Sequence, residues 1–242
     1  MPSSLPGAIL MDLDDTILAY DIVANKVWLE VCTEFAEQIG EITPQQLAAS
    51  IDEFRQWYWA DPERHRKARL NLAPVRRDVV DGGFRRLGVE PPEVAAEIGN
   101  AYADRREQEI RLFPGALETL QSLKDAGVRM ALVTNGSASS QRPKIERFSL
   151  EGYFQHILIE GEFGAGKPSP RVYRHALGQI GAEASEAWMV GDNLEWEVAA
   201  PQRLGIMGVW HDWRGRGLPT GSSVRPDRII RSLPELLQLP LA

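Results

Sequence analysis

The chain has 242 residues, 43% hydrophobic and 25% charged, an ordinary globular composition that excludes a disordered chain, a collagen-like fibre and a coiled coil. Its formal net charge of -7 argues against a general nucleic-acid binder, and no apolar run approaches the ~20 residues needed to cross a bilayer. One cysteine, Cys32, excludes an internal disulfide and a cysteine-based zinc site. The start carries no basic region, and Ala8 to Met11 is too short for a signal peptide core, so the expectation is a soluble cytoplasmic protein.

Taken in chain order, short apolar runs alternate with amphipathic stretches, the pattern of a parallel sheet covered by helices. The runs are Ala8 to Met11, Val128 to Val133, His156 to Ile159, Ala187 to Val190 and Ile206 to Trp210. Helices are predicted over Ala116 to Asp125, Ser139 to Phe148, Ser169 to Ile180, Leu194 to Leu204 and Leu233 to Leu239. Gly215 to Ser223 reads as a surface loop. The expected fold class is α/β, a doubly wound parallel sheet of Rossmann-like form.

Between the first run and the second lie more than a hundred residues without a convincing strand, far beyond one crossover. Ile22 to Ile39, Pro44 to Trp59, Pro74 to Leu87 and Pro92 to Ile110 each space apolar residues helically, which predicts an inserted bundle of about four helices. The expected division is a core of residues 1–19 and 112–242 around an inserted domain of residues 20–111. The insertion is locally basic: from Arg55 to Arg86, nine Lys and Arg face four Asp and Glu.

Open α/β sheets bind ligands beyond the carboxyl ends of their strands. There the sequence places Asp12-Leu13-Asp14-Asp15-Thr16, then Thr134-Asn135-Gly136, then Lys167 on a glycine-rich loop, then Gly191-Asp192-Asn193 with Glu195 and Glu197 behind. Singly these are common turn and cap residues. Three acids within four positions at a buried strand end are different, because their repulsion and desolvation call for a cation. Oxygen ligands without a histidine cluster point to Mg²⁺ rather than zinc. A competing P-loop reading of Gly161 to Lys167 fails at Pro168, which supplies neither the Mg²⁺-binding hydroxyl nor an N–H for the phosphate cradle.

The ordered set resembles the haloacid dehalogenase-like (HAD) hydrolase superfamily, in its branch with a helical cap inserted after the first motif. That pattern runs Asp-x-Asp-x-Thr, a Thr or Ser after the second strand, a lysine, then Gly-Asp and a second acid. The resemblance spans Ala8 to Leu237, across the cap in architecture only. It implies that Asp12 is the nucleophile forming an aspartyl-phosphate and Asp14 the general acid and base. It further implies Mg²⁺ held by Asp12, the Asp14 carbonyl and Asp192, with Thr134, Asn135 and Lys167 on the phosphoryl group. Thr16 would fix the first loop, with Gly191, Asn193 and Glu197 in support. Glu197 departs from the family's aspartate, and its longer arm is expected to reach Lys167 or a metal-bound water.

Asp14 separates the possible reactions, since an alkoxide needs a proton to depart and a halide does not. Similar dehalogenases carry tyrosine at that position, so a phosphatase of small phosphate monoesters is favoured. The alternatives are a phosphomutase or haloacid dehalogenase of the same superfamily, or a non-catalytic binding protein on this fold. The expected partner is a small phosphorylated metabolite, with no nucleic-acid polymer and no membrane, in a monomer or homodimer. Thr134-Asn135-Gly136 together with the first motif looks like the nucleotidase and acylneuraminate-9-phosphatase members. In the cap, Gln56 to Trp59 read as packing before ring recognition, and Arg64 to Arg69 as a solvated face before an anion site. Trp196 is a candidate cap contact, while Cys32, His156, His175 and His211 are assigned no chemistry.

Overall fold

The computed structural model describes residues 5–238, so Leu239, the expected last residue of the final helix, lies outside the described residues. The chain divides into two compact units, one formed by the chain up to Ala19 together with everything from Arg111 onward, the other by Tyr20–Ile110.

The first unit holds a six-stranded sheet, entirely parallel, built from β1 (Ala8–Met11), β4 (Arg129–Thr134), β5 (His156–Ile159), β6 (Ala187–Gly191), β7 (Met207–His211) and β8 (Arg228–Ile230). Two further two-residue strands, β2 (Leu18–Ala19) and β3 (Arg111–Leu112), pair antiparallel at the ends of the insertion. The order β5-β4-β1-β6-β7-β8 puts β1 inside, and the chain proceeds outward from it on both sides. All four residues of β1 are buried, as a strand covered on both faces requires, which is why it reads as an unbroken apolar run. Ala8, Leu10, Ala131, Val133, Met189, Val172 and Tyr173 share one core layer. Because β1 is flanked by β4 and β6, the carboxyl ends of these strands converge at the point where the order reverses, where such folds place ligands.

Three expectations for this unit are corrected. β8 was not predicted, because Ile229 faces solvent and the three residues show no apolar run. The stretch Leu194 to Leu204 is not one α-helix: it is a π-helical turn over Leu194–Ala199 followed by a short α-turn over Ala200–Gln202. The last helix is 3₁₀ over Leu233–Gln238.

The Tyr20–Ile110 unit is helical: α1 (Ala24–Glu34), α2 (Pro44–Ala60), α3 (Pro62–Ala68), α4 (Leu72–Arg86) and α5 (Ala95–Glu109), five helices where about four were expected. Helix α2 starts on a reciprocal cap, with the Thr43 hydroxyl accepting from Gln46 N–H and the Gln46 side chain accepting from Thr43 N–H. The core contains Val27, Trp28, Leu47, Ile51, Val80, Phe84 and Tyr102, with Trp28 and Tyr102 stacked at 3.6 Å between ring centroids. Cys32 lies in this core, and burial pushes its thiol up to about 12, so it is a packed apolar residue.

The additional helix α3 accounts for the basic stretch. Arg64 donates to the carbonyls of Tyr58 at 2.6 Å and Trp57 at 2.8 Å, and its guanidinium lies 3.9 Å from the Trp57 ring centroid. It therefore closes the carboxyl end of α2, where cations are favoured. Arg66 pairs with Glu63 on the exposed face. Tyr58 and Trp59 pack against the helical core, while Trp57 is exposed.

Candidate active site

The site is assembled from the first unit's strand ends. Asp12 follows β1, and its N–H donates to Val190 O of β6 at 3.0 Å, which fixes the residue at the edge of the sheet. Both carboxylate oxygens have donors: Lys167 Nζ stands 2.5 Å from Oδ1, and Thr16 Oγ1 donates to Oδ2 at 3.0 Å. The loop turns tightly here, with the N–H groups of Ile17 and Leu18 both donating to Leu13 O. Asp15 takes a left-handed φ of 58°, a conformation Asp tolerates better than most side chains. This explains Thr16 as more than a turn residue, because the same turn returns its hydroxyl onto Asp12.

Thr134 ends β4 and is buried. Asn135 clamps the main chain of Lys167 from both sides: its Oδ1 accepts from Lys167 N–H at 2.7 Å and its Nδ2 donates to Lys167 O at 2.9 Å. The residue whose main-chain N–H is expected on the phosphoryl group thus uses its side chain to hold the lysine loop. Gly136 N–H donates to the buried Glu160 Oε2 at 2.9 Å. A Cβ on Gly166 would come within 2.4–2.7 Å of Glu160 and Asn135 side-chain atoms, so a larger residue there would displace the side chains that hold Gly136 and Lys167.

Lys167 continues past Asp12 to Glu197, with Nζ 2.8 Å from Oε1. Glu197 therefore reaches the lysine, as its longer arm allows. Its other oxygen accepts from Asn193 N–H at 2.8 Å, while Asn193 Oδ1 caps the π-helical turn by accepting from the N–H groups of Glu195 and Trp196. This wider turn returns Glu197 toward the strand end, a use of π-turns common at functional sites. Glycine is needed at position 191, where a Cβ would meet Glu197 Cγ at 2.0 Å. Trp196 is half-buried, and its carbonyl accepts from Tyr173 OH at 2.5 Å.

The electrostatics follow from too many buried carboxylates for the cations present. Burial raises Asp12, against the pull of Lys167. Burial also raises Asp192 well above the usual range, with the charges of Glu197, Asp15 and Asp12 adding to it. Glu197 is pushed up to about 7 by burial, opposed by Lys167. Burial pulls Lys167 down, but Asp12 and Glu197 outweigh it and hold the ammonium at about 12. The surplus negative charge at Asp12 and Asp192 suits a hard cation. Among the described residues no group of three or more His, Cys, Asp or Glu side chains is arranged to hold a metal. The donor set that fits is two carboxylates and the Asp14 main-chain carbonyl, a composition compatible with Mg²⁺, which keeps several waters.

Four residues that the motifs did not single out also belong here. Gln141 and Lys144, both buried on the helix Ala138–Arg147, contact Asp14; Glu160 holds Gly136; and Trp210 Nε1 donates to Asp192 O at 2.7 Å. The usable signal was the i, i+3 spacing of Gln141 and Lys144 on the helix that follows Thr134. His211 faces Asp15 O, with Nδ1 3.1 Å away. His156 and His175 pack edge to face as a ring pair, with centroids 5.4 Å apart.

Fold and site together define a doubly wound α/β protein with a buried aspartate–lysine pair at the carboxyl edge of its parallel sheet. The chain belongs to the haloacid dehalogenase-like hydrolase family, whose family model matches residues 6–205. It is 36% identical to a phosphoserine phosphatase of Thermus thermophilus, over 94% of this chain and 96% of that protein. It is 30% identical to the pyrimidine 5'-nucleotidase YjjG of Escherichia coli, over 96% of each. In fold it is similar to the HAD-hydrolase YfnB of Bacillus subtilis, solved bound to magnesium, with a TM-score of 0.75, 22% identity and coverage of 97% of this chain and 98% of that one.

Proposed function

We propose that this hydrolase is a Mg²⁺-dependent phosphatase that cleaves a small phosphate monoester through an aspartyl-phosphate on Asp12. The observation that carries the reading is the Asp12 carboxylate held by Lys167 and Thr16, with Asp14 two residues away. Asp12 Oδ attacks phosphorus, and Asp14 gives its proton to the leaving alkoxide. Asp14 then takes a proton from water, whose oxygen attacks phosphorus and restores the Asp12 carboxylate. Lys167 and Thr134 offset negative charge on the transferring group. Mg²⁺, held by Asp12, the Asp14 carbonyl and Asp192, supplies charge neutralisation between nucleophile and phosphate when bound.

Retention of Asp14 favours ester hydrolysis over dehalogenation, although 2-haloacid dehalogenases share the fold, one from Pseudomonas syringae with a TM-score of 0.59 and 25% identity over 97% of this chain and 99% of that one. Substrates named for relatives include the small phosphorylated metabolites phosphoserine, glyceraldehyde 3-phosphate and ribulose 1,5-bisphosphate. We assign this chain the same class, a cytoplasmic role as monomer or homodimer, and selectivity contributed by residues 20–111 as a cap. Among the described residues no helix is long and apolar enough to cross a membrane. The test is phosphate release with Mg²⁺ across a panel of phosphoserine, triose and pentose phosphates, nucleoside 5'-monophosphates and N-acylneuraminate 9-phosphate. Turnover of at least one ester, lost in chelator, is expected; a panel without phosphate release would overturn the reading.

A further inference from the structure

Asp14 is not left to solvent. Lys144 Nζ stands 2.9 Å from each of its carboxylate oxygens, and Gln141 Nε2 lies 3.0 Å from Oδ2. Gln141 Nε2 also lies 2.7 Å from Thr134 Oγ1 and 2.7 Å from Asn135 O. Two hydrogens shared among three acceptors join the acid-base loop to the phosphate-binding loop through one amide. Both side chains are 2% exposed, and a lysine is rarely buried unless paired. Helix packing alone does not call for such a pair, since Leu or Met would fill the volume without desolvating an ammonium.

We propose that Gln141 and Lys144 are positioning residues that set the direction of the Asp14 carboxylate, so that its proton meets the leaving oxygen of a phosphoryl group bound at Thr134. The proposal rests on the phosphatase reading of the site. A bidentate ammonium contact fixes both oxygens, and the Gln141 bridge fixes their distance to Thr134. A shift of about an ångström in a reacting group costs roughly 100-fold in rate. The loss concerns the proton transfers of Asp14, to the leaving group and from water, and not the attack of Asp12.

The test compares Lys144→Met and Gln141→Met with wild type on the best alkyl ester of the panel and on acetyl phosphate. Turnover on the alkyl ester should fall roughly 100-fold with little change in KM, and single-turnover phosphoenzyme formation from it should fall likewise. Single-turnover phosphoenzyme formation from acetyl phosphate should stay within about threefold, because that leaving group needs little protonation. Lys144→Arg should restore part of the alkyl-ester rate. Equal losses of phosphoenzyme formation from both substrates, or no loss on the alkyl ester, would overturn the proposal. A crystal structure of Lys144→Met gives a readout independent of activity and of the phosphatase reading: the Asp14 carboxylate should be displaced, and an unmoved carboxylate counts against the proposal. Lack of phosphoenzyme in the wild type would instead refute the phosphatase reading itself. Gln141→Met, which keeps the Lys144 ion pair, serves if removal of the lysine prevents folding.

Discussion

Lys167 Nζ lies 2.8 Å from Glu197 Oε1, and both side chains are 1% exposed. Glu197 thus gives the lysine a second carboxylate beyond Asp12 and holds it at the end of its reach. Removing one partner of a buried charge pair is costly, because the other is left uncompensated. Glu197→Gln should therefore lower turnover about 10- to 100-fold, an effect comparable to other residues that orient a catalytic group. Gly191→Ala should resemble it, since the added methyl would occupy the place of Glu197 Cγ. Steady-state kinetics on the best ester tests both; wild-type turnover in Gly191→Ala contradicts the packing argument.

Asp14 should distinguish leaving groups. Asp14→Asn is expected to lose on the order of 10²- to 10⁴-fold on alkyl phosphates, the range of general acid–base catalysis, and much less on nitrophenyl or acyl phosphate in the phosphorylation step. Single-turnover phosphoenzyme formation separates the two, and an equal loss on both classes would mean that Asp14 has another role.

How far the site could be read from the chain depends on where each signal resides. Asp12 and Asp192 directly follow buried strands, Thr134 ends one and Lys167 lies on the loop beyond β5, so their place at one edge follows once the sheet is parallel. Lys144 has no such marker: it lies 130 residues from Asp14, and only tertiary packing brings the two together. The basic run Arg64 to Arg69 looks like a charged surface by composition, yet Arg64 closes a helix end, which depends on the turn at Asp61-Pro62. β8 and the β2–β3 pair are too short for periodicity to register; backbone pairing places them.

Trp28 should matter to the stability of the helical unit. It is 2% exposed and stacked on Tyr102, so Trp28→Ala should cost about 3–5 kcal/mol. Among the described residues its Nε1 has no hydrogen-bond partner, so Trp28→Phe gives up no bond to them and should cost far less. Denaturant unfolding followed by circular dichroism measures the pair, and similar costs for both variants would contradict this account.

His211 predicts a pH dependence of stability. Burial pulls its pKa below the ordinary 6.5, against the raising effect of its contact with Asp15 O. Below about pH 6.5 the unfolded chain takes up a proton that the native ring resists, so stability falls as pH drops through that window. Above it both states are neutral and the contribution is constant. Replacing His211 by Asn should remove its share of the fall between about pH 7 and 5, while the raised Glu197 and the lowered His156 contribute alike in both proteins. Urea midpoints for the two proteins across that range test it, and parallel curves would remove His211 as the cause.

In the proposed reaction Asp12 accepts the phosphoryl group. The most direct test is rapid acid quench of the enzyme with Mg²⁺ and acetyl phosphate, followed by peptide mass spectrometry. The account predicts a phosphoryl adduct on Asp12 that forms faster than phosphate is released, and that is absent from Asp12→Asn and from enzyme in chelator. Phosphate release at full rate by Asp12→Asn, or an adduct on another residue, would contradict it.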